Sequence, residues 1–156
     1  MLNIVLFEPE IPPNTGNLIR LCANAGFALH LIHPLGFRLE EKRLRRAGLD
    51  YAELASVREY RDWQHFETDG PPGRRFACTT KGRTRYTAPA YQEGDVLLFG
   101  PESRGLPGEL LDALPAPQKL RIPMQAGSRS LNLANAVSII AFEAWRQLDF
   151  AGAEED

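Results

Sequence analysis

The sequence has few residues that bind metals or form cross-links, and it has no long hydrophobic run. It contains two cysteines, Cys22 and Cys78, and three histidines in 156 residues. Each cysteine lies in an apolar stretch without a second ligand at metal-binding spacing, which argues against a disulfide framework and a zinc site. The start, MLNIVLFEPE, lacks the basic residues of a signal peptide, and no apolar run is long enough to span a membrane. We therefore expect a cytoplasmic protein with reduced thiols, no metal and no membrane segment.

Several motifs of nucleotide-binding and hydrolytic enzymes are also missing. The loop after the first apolar run contains only Gly16, so it lacks the glycines of a dinucleotide fingerprint, and no segment ends in the G-K-[ST] of a phosphate loop. Neither G-x-S-x-G nor H-E-x-x-H occurs. These absences argue against a standard dinucleotide site, P-loop hydrolysis and zinc-dependent hydrolysis.

Neither sign of charge is in large excess, since the formal net charge is only −2. Cations are nevertheless concentrated in KRLRRAG (residues 42–48) and KGRTRY (residues 81–86). Local basic patches can bind phosphates when the total charge is near zero, but the same residues can equally be solvated surface charge. The sequence leaves both interpretations open.

The composition, with 44% hydrophobic and 24% charged residues, is that of a globular protein. We predict one domain over residues 1–156, with a frayed acidic tail at about residues 151–156. Short apolar runs predict strands at LNIVLF, ALHLIH, RFACTT, DVLLFG and KLRIP. Helical patterns lie between and after them, at NTGNLIRLCANAGF, EEKRLRRAG, REYRDWQHF, GELLDAL and the stretch from Ser128 to Trp145. Alternating strands and helices predict an α/β fold, a mostly parallel sheet with helices on both faces.

Two of these helices have distinctive ends or faces. The first is predicted to begin with Asn14 as its N-cap and to end at Gly26. The last, within SRSLNLANAVSIIAFEAW, has no broad polar stripe, so we expect one face on the sheet and another on a partner subunit. Its polar start, Ser128 to Asn132, would place free N–H groups beside a bound ligand.

Three loops that follow predicted strands hold the candidate ligand-binding residues, because ligands of open α/β sheets bind beyond the carboxyl ends of strands. They are EPEIPPNTGNLIR, FGPESRGLP and RIPMQAGSRSLN. Arg20 lies about one turn inside the first helix and could reach an anion at its start, or it could be a surface arginine. Glu102 lies between two glycines that could admit a ligand close to the backbone, or form a plain turn.

Other residues that could carry chemistry are better explained as structural. His30 and His33 lie in one predicted strand without a third ligand, and Trp63 with Phe66 is typical of core packing. Cys22 lies on the apolar face of a predicted helix, and no base partner is indicated for it.

Taken together, NTGNLIRLCANAGF, FGPESRGLP and RIPMQAGSRSLNLANAVSIIAFEAWRQ resemble the three motifs of the SPOUT class of RNA methyltransferases. The resemblance extends along essentially the whole chain, and the C-terminal motif is the most specific. Within the class, the short length and the MLNIVLFEPEIPPNTGN start are similar to the compact bacterial subfamily that lacks an added RNA-binding domain. That subfamily methylates the ribose 2′-hydroxyl of the wobble cytidine or uridine in leucine tRNAs.

The resemblance implies a trefoil knot in the C-terminal half that holds S-adenosylmethionine in a bent shape. The product would be S-adenosylhomocysteine, and no metal is implied. At position 78 the sequence departs from the leucine expected in close relatives, although a cysteine keeps the backbone contact. Carried over by motif, the cofactor-binding residues would be Cys78, Thr79, Gly100, Ile122, Met124, Ser130 and Asn132.

The resemblance also assigns the catalytic role to Arg20. A guanidinium is a poor base, so we expect Arg20 to bind the acceptor ribose or its phosphate, and to accept a proton only if its pKa is lowered. Asn14 and Arg129 would join it at the RNA site, and Glu102 would hold the loop geometry. The implied partners are the anticodon stem-loop of tRNA and a second copy of the chain, with Arg20 of one copy serving the cofactor of the other.

Three alternatives remain at this point. The same chemistry could act on another tRNA position or on ribosomal RNA. The chain could be a non-catalytic RNA-binding member of the fold, although the presence of Arg20, Gly100, Ser130 and Asn132 argues against that. More remotely, GPESRG could be the phosphate loop of a different nucleotide-binding enzyme.

Overall fold

A parallel β-sheet forms the centre of the molecule. The computed structural model describes residues 1–40, 48, 53–54 and 56–155. Within them, seven strands pair in the order β3-β2-β1-β6-β4-β7-β5, and all six pairings are parallel. The strands are β1 (Asn3–Phe7), β2 (Ala28–Ile32), β3 (Val57–Tyr60), β4 (Arg75–Cys78), β5 (Thr84–Arg85), β6 (Val96–Phe99) and β7 (Lys119–Arg121).

Helices cover both faces of this sheet. They are α1 (Pro12–Ala25), α2 (Trp63–Asp69), α3 (Gly108–Asp112) and α4 (Leu133–Gln147), and a 3-10 turn spans Ala116–Gln118. Strand β1 shows the division, because Ile4 and Leu6 pack with α1 and α4, whereas Val5 and Phe7 pack with α2 and α3. Both faces are therefore buried at the central strands, as is typical of parallel sheets. The predicted α/β class is confirmed.

Helix α1 begins three residues earlier than predicted, with Ile11 and not Asn14 as its N-cap. Pro12 and Pro13 occupy its first positions, where a fixed φ suits the helix and a missing N–H leaves no hydrogen bond unmade. Asn14 then lies inside the first turn with 6% of its surface exposed, so its prediction as the N-cap is wrong. The predicted end is confirmed, because Gly26 adopts the left-handed conformation with φ of 74°.

The segment REYRDWQHF was predicted to be helical, and its first part is not. Residues Val57–Tyr60 form the edge strand β3 against β2, and the helix begins only at Trp63. The Asp62 side chain marks the change, since it accepts a hydrogen bond of 2.8 Å from the His65 N–H as the N-cap of α2. The other predicted helix of this region, EEKRLRRAG, lies outside the described residues except for its two ends.

Helix α4 carries an apolar face that the single chain does not cover. Its inner residues, among them Val137 and Ile140, are fully buried against the sheet and α1. On the outer side, Ile139 and Phe142 expose 37% and 41% of their surface, and Phe150 just beyond the helix exposes 43%. The expected second apolar face is therefore present.

His30 is a buried structural histidine in β2. Its Nδ1 lies 2.9 Å from the Tyr60 hydroxyl and its Nε2 lies 3.0 Å from the Asn3 side-chain oxygen. Burial, with a smaller contribution from the charge of Arg58, lowers the pKa of His30 to about 4. The ring is therefore neutral in the folded protein at neutral pH, in agreement with the structural interpretation.

We expect this histidine to make the fold sensitive to mild acid. The pKa of His30 is about 4 in the folded protein and 6.5 in the unfolded chain. Its contribution to the free energy of unfolding is therefore complete above pH 6.5 and is lost as the pH falls toward 4. The free energy of unfolding should fall by about 2–3 kcal/mol between pH 7 and pH 4.5 from this group. Urea unfolding at both pH values measures the loss, and the His30→Gln variant should lose that much less. Equal losses in the two proteins would contradict the assignment.

Candidate active site

Three loops and the end of a fourth strand enclose a cavity at the carboxyl edge of the sheet. The loops follow β1, β6 and β7, and the fourth strand is β4. These four strands are neighbours in the sheet, so their ends lie side by side. The cavity has a volume of about 510 Å³, which lies within the range of small-molecule sites.

All seven residues predicted to bind a cofactor line this cavity. Asn14 and Arg129, predicted at the RNA site, line it as well, whereas Arg20 does not. The family resemblance therefore identified residues that the fold brings together from four separate segments. The seven are Cys78, Thr79, Gly100, Ile122, Met124, Ser130 and Asn132.

Two carboxylates join the first loop to the second. The Glu102 carboxylate accepts hydrogen bonds of 2.7 Å and 3.1 Å from the N–H groups of Glu10 and Ile11. In return, the Glu10 carboxylate accepts bonds of 2.9 Å and 2.7 Å from the N–H and hydroxyl of Ser103, and these bonds lower the pKa of Glu10. Glu102 thus satisfies N–H groups at the start of α1, where no side chain caps the helix. The interpretation of Glu102 as a loop-holding residue agrees with this geometry.

Gly100 allows the second loop to fold back onto the end of β6. A Cβ atom at this position would lie 2.3 Å from the carbonyl carbon of Gly105 and 2.3 Å from the nitrogen of Leu106. Both are backbone atoms that cannot rotate away. Any side chain at position 100 therefore displaces the loop that forms one wall of the cavity.

The first and third loops are joined through two asparagines. The Asn132 side-chain N–H donates to the Asn14 side-chain oxygen at 3.0 Å. The side-chain oxygen of Asn132 accepts from the Asn135 N–H at 3.2 Å, which makes Asn132 the N-cap of α4. Helices α1 and α4 therefore begin side by side at the cavity.

Arg20 lies on the exposed side of α1. Its guanidinium donates a hydrogen bond to the Gly48 carbonyl, and its Nε lies 3.8 Å from the Glu53 carboxylate. The side chain remains 47% exposed. Arg20 is thus separated from the cavity of its own chain and remains accessible from outside.

The two cysteines are unreactive in this environment. Burial raises the pKa of both the Cys22 and the Cys78 thiol to about 12. At neutral pH the nucleophilic thiolate is therefore nearly absent, even though Cys78 lines the cavity. This agrees with a packing role for Cys22 and a backbone contact for Cys78.

The sequence interpretation did not place several cations at the mouth of the cavity, although KGRTRY had been noted as a basic segment. Lys81, Arg104 and Arg121 line it together with Arg129, and Arg104 also lies 3.5 Å from the Glu8 carboxylate. Two of them had a detectable signal, because Lys81 follows Thr79 by two positions and Arg121 directly precedes Ile122. A cavity with an apolar wall and a cationic mouth suits a nucleoside-like ligand with an anionic end.

Two further searches covered the described part of the chain. Within it, no helix combines the length and hydropathy that a membrane crossing requires. No group of three or more His, Cys, Asp or Glu side chains among these residues is arranged to hold a metal ion.

Residues 1–142 match the model of the SpoU rRNA Methylase family. The chain is also 62% identical over 153 residues to the tRNA (cytidine(34)-2'-O)-methyltransferase of Escherichia coli K12, and the alignment covers 98% of both proteins. The same enzyme from Yersinia pestis is 64% identical over 158 residues, again with 98% of each covered.

Solved structures show the same likeness. A structure determined to study the 2'-OH methylation of C/U34 on tRNA superposes with a TM-score of 0.86 and 48% identity, covering 96% of this chain and 97% of that one. An AdoMet-bound rRNA methyltransferase from Sinorhizobium meliloti superposes with a TM-score of 0.78 at 27% identity, covering 94% of this chain and 56% of that one.

Proposed function

Because the chain belongs to the SpoU rRNA Methylase family, we propose that it transfers the methyl group of S-adenosylmethionine to the ribose 2′-hydroxyl of the wobble cytidine or uridine of tRNA. The observation that carries the proposal is the gathering of seven motif residues around one cavity. High identity over nearly the full length to the tRNA (cytidine(34)-2'-O)-methyltransferases supports the substrate and the position. Leucine isoacceptors are the tRNAs that we propose within this class.

The cavity suits S-adenosylmethionine by its size and by the chemistry of its lining. Ile122 and Leu133 supply an apolar wall for a planar base, and the strand end at Cys78 and Thr79 supplies backbone groups. Arg129 and Lys81 at the mouth would face a carboxylate. When bound, the cofactor supplies a methyl group on a positively charged sulfur. We propose that the trefoil knot implied by the resemblance fixes these segments around it.

We propose that Arg20 positions the ribose that receives the methyl group. A guanidinium remains protonated, so it is suited to bind the ribose or its phosphate and not to remove a proton. Methyl transfer depends on holding donor and acceptor in line, and positioning of this kind contributes a large part of such a rate acceleration. Asn14 and Arg129, which line the cavity, are the other residues proposed to contact RNA.

We propose that the active form is a homodimer in which Arg20 of one copy serves the cavity of the other. Two observations support this arrangement. Arg20 lies outside its own cavity, and α4 leaves Ile139 and Phe142 exposed, as expected of a helix with a second packing surface. The anticodon stem-loop of tRNA would then bind between the copies.

Incubation of the purified protein with isotope-labelled S-adenosylmethionine and total tRNA tests the proposal. Nucleoside mass spectrometry should detect 2′-O-methylcytidine or 2′-O-methyluridine, and mapping should place it at position 34 of leucine tRNAs. Methylation of a base would refute the proposal. So would methylation of ribosomal subunits in a parallel reaction when tRNA is not methylated. Tight tRNA binding without transfer would indicate the non-catalytic alternative.

A further inference from the structure

A row of cations lies along the edge of the sheet, beginning outside the cavity. It is formed by strand β5, the turn before it and the neighbouring strand β7. We call these residues the edge cations. Four of them are exposed and Lys119 is half-buried. They are Lys81, Arg83, Arg85, Lys119 and Arg121.

The register of the two strands places like charges together. Arg85 pairs with Arg121 across the parallel ladder, and Thr84 pairs with Leu120. Leu120 is 1% exposed in the core, so the alternation of the strand directs Arg121 to the opposite face. Like charges opposite each other on adjacent strands are destabilising, and the fold nevertheless keeps them there.

The edge cations make no hydrogen bond or ion pair through their side chains with any residue that the structure describes. Three arginines elsewhere in the fold behave differently. Arg74, Arg75 and Arg146 pair with Asp95, Glu67 and Glu143. A set of neighbouring cations without carboxylates is typical of a surface that binds an external polyanion.

Contacts of the backbone and of Thr84 fix the segment that carries these cations. Gly82 lies so close to β7 that a Cβ atom there would be 2.7 Å from the Lys119 carbonyl oxygen. The Thr84 hydroxyl donates to the Ala116 carbonyl at 2.8 Å, and the Tyr86 N–H donates to the Arg121 carbonyl at 3.1 Å. Because the backbone is already ordered, binding of phosphates would restrict only the side chains.

The row also leads into the active site. Lys81 and Arg121 belong both to the edge cations and to the lining of the cavity, where Arg129 lies as well. Arg83 and Arg85 extend the row away from the cavity. A polyanion that crosses the edge would therefore reach the cavity along a continuous line of positive charge.

We propose that the edge cations bind the phosphate backbone of the tRNA next to the wobble nucleotide. The proposal rests on the proposed function for the identity of the RNA. It assigns to the KGRTRY segment the phosphate-binding role that the sequence left open, and it names Arg83 and Arg85 as RNA contacts outside the cavity.

The double variant Arg83→Gln and Arg85→Gln tests the proposal. Binding of leucine tRNA, measured by filter retention, should weaken about tenfold at ~0.1 M salt, because two phosphate contacts are lost. The plot of log affinity against log salt should become shallower by about 1.4–1.8, at about 0.7–0.9 for each phosphate. In the methylation assay the change should appear in KM for tRNA.

The matched control is the double variant Arg58→Gln and Arg61→Gln. It removes the same charge in and just after β3, at the opposite edge of the sheet, and should leave tRNA affinity, salt dependence and activity unchanged. Equal weakening in both double variants would overturn the proposal, since the loss would then reflect only non-specific electrostatic attraction between the protein and tRNA. Unchanged binding in the Arg83 and Arg85 variant would also overturn it. A wild-type protein that binds tRNA through this edge without methylating it would refute the proposed function and leave the edge cations supported.

Discussion

Replacing Arg20 by alanine is expected to lower kcat/KM for tRNA by at least about 100-fold, because the acceptor ribose would no longer be held in line with the methyl donor. The affinity for S-adenosylmethionine should stay within about twofold, because the proposed contact of Arg20 is with the acceptor ribose or its phosphate and not with the cofactor. Single-turnover methylation of leucine tRNA measures the first effect, and calorimetry with the cofactor alone measures the second.

Two further variants show whether the loss is specific. Asn24→Ala changes an exposed residue four positions along the same helix and should keep nearly full activity. Arg20→Lys keeps the positive charge but loses the planar fork, and should recover only a small part of the activity. A parallel loss of cofactor binding in Arg20→Ala would show that the role assigned to Arg20 is wrong.

The second large effect is expected from Gly100→Ala. The added Cβ atom would lie 2.3 Å from backbone atoms of Gly105 and Leu106, so the loop must move away from the end of β6. We expect the Kd for S-adenosylmethionine to rise more than tenfold, and overpacking to lower stability by about 1–3 kcal/mol. Calorimetry and urea unfolding measure the two effects separately.

Gly108→Ala is the matched control, because it lies in the same region and a Cβ atom there meets nothing within 4 Å. It should bind the cofactor as the wild type does. If Gly100→Ala also bound the cofactor normally, the wall of the cavity would not depend on this close backbone approach. That result would contradict the prediction.

Combining the two variants tests the shared site. A heterodimer of one Arg20→Ala copy and one Gly100→Ala copy, isolated with two different affinity tags, retains one intact cavity served by the other copy's Arg20. It should have about half the wild-type activity, since one of two symmetric sites is complete. If Arg20 acted within its own chain, the heterodimer would be inactive. Failure to isolate any heterodimer would contradict the dimer itself.

The sequence was sufficient for the parts of the fold that local patterns determine. The apolar runs that became β1, β2, β4 and β6 are buried on both faces of a parallel sheet, so their composition alone is informative. The exposed Ile139 and Phe142 were likewise indicated by a helix without a polar stripe.

Features that depend on neighbours distant in the sequence were not predictable. The segment VREY carries charges typical of an exposed helix, and it becomes the strand β3 only because β2 offers an edge. Asn14 is a residue type that favours the N-cap, but in the structure Pro12 and Pro13 occupy the first helical positions and place Asn14 inside the helix. No periodicity indicates that Arg20 lies outside the cavity, because that depends on how α1 sits on the sheet.

The sequence predicted which residues line the candidate site, but not the hydrogen bonds that join its loops. The motifs identified the seven cavity residues, since family resemblance records which positions meet in space. The carboxylates of Glu10 and Glu102, which exchange hydrogen bonds between two loops, depend on distances that a sequence does not contain. Of the cations at the cavity mouth, Lys81 and Arg121 are close to motif residues in the sequence, whereas Arg104 reaches the mouth only through the fold of its loop.

The hydrogen bond between Asn132 and Asn14 joins residues 118 positions apart. This separation determines how late in synthesis the cavity can form. The ribosome releases α1 and β1 early and α4 late, so no cavity exists until the segment around Asn132 has emerged. Pairings between distant parallel strands are also slow to form, and the apolar faces of the early elements remain exposed meanwhile. S-adenosylmethionine stabilises only a chain that already has its site. It can therefore protect the finished enzyme but gives no help to a chain still in synthesis.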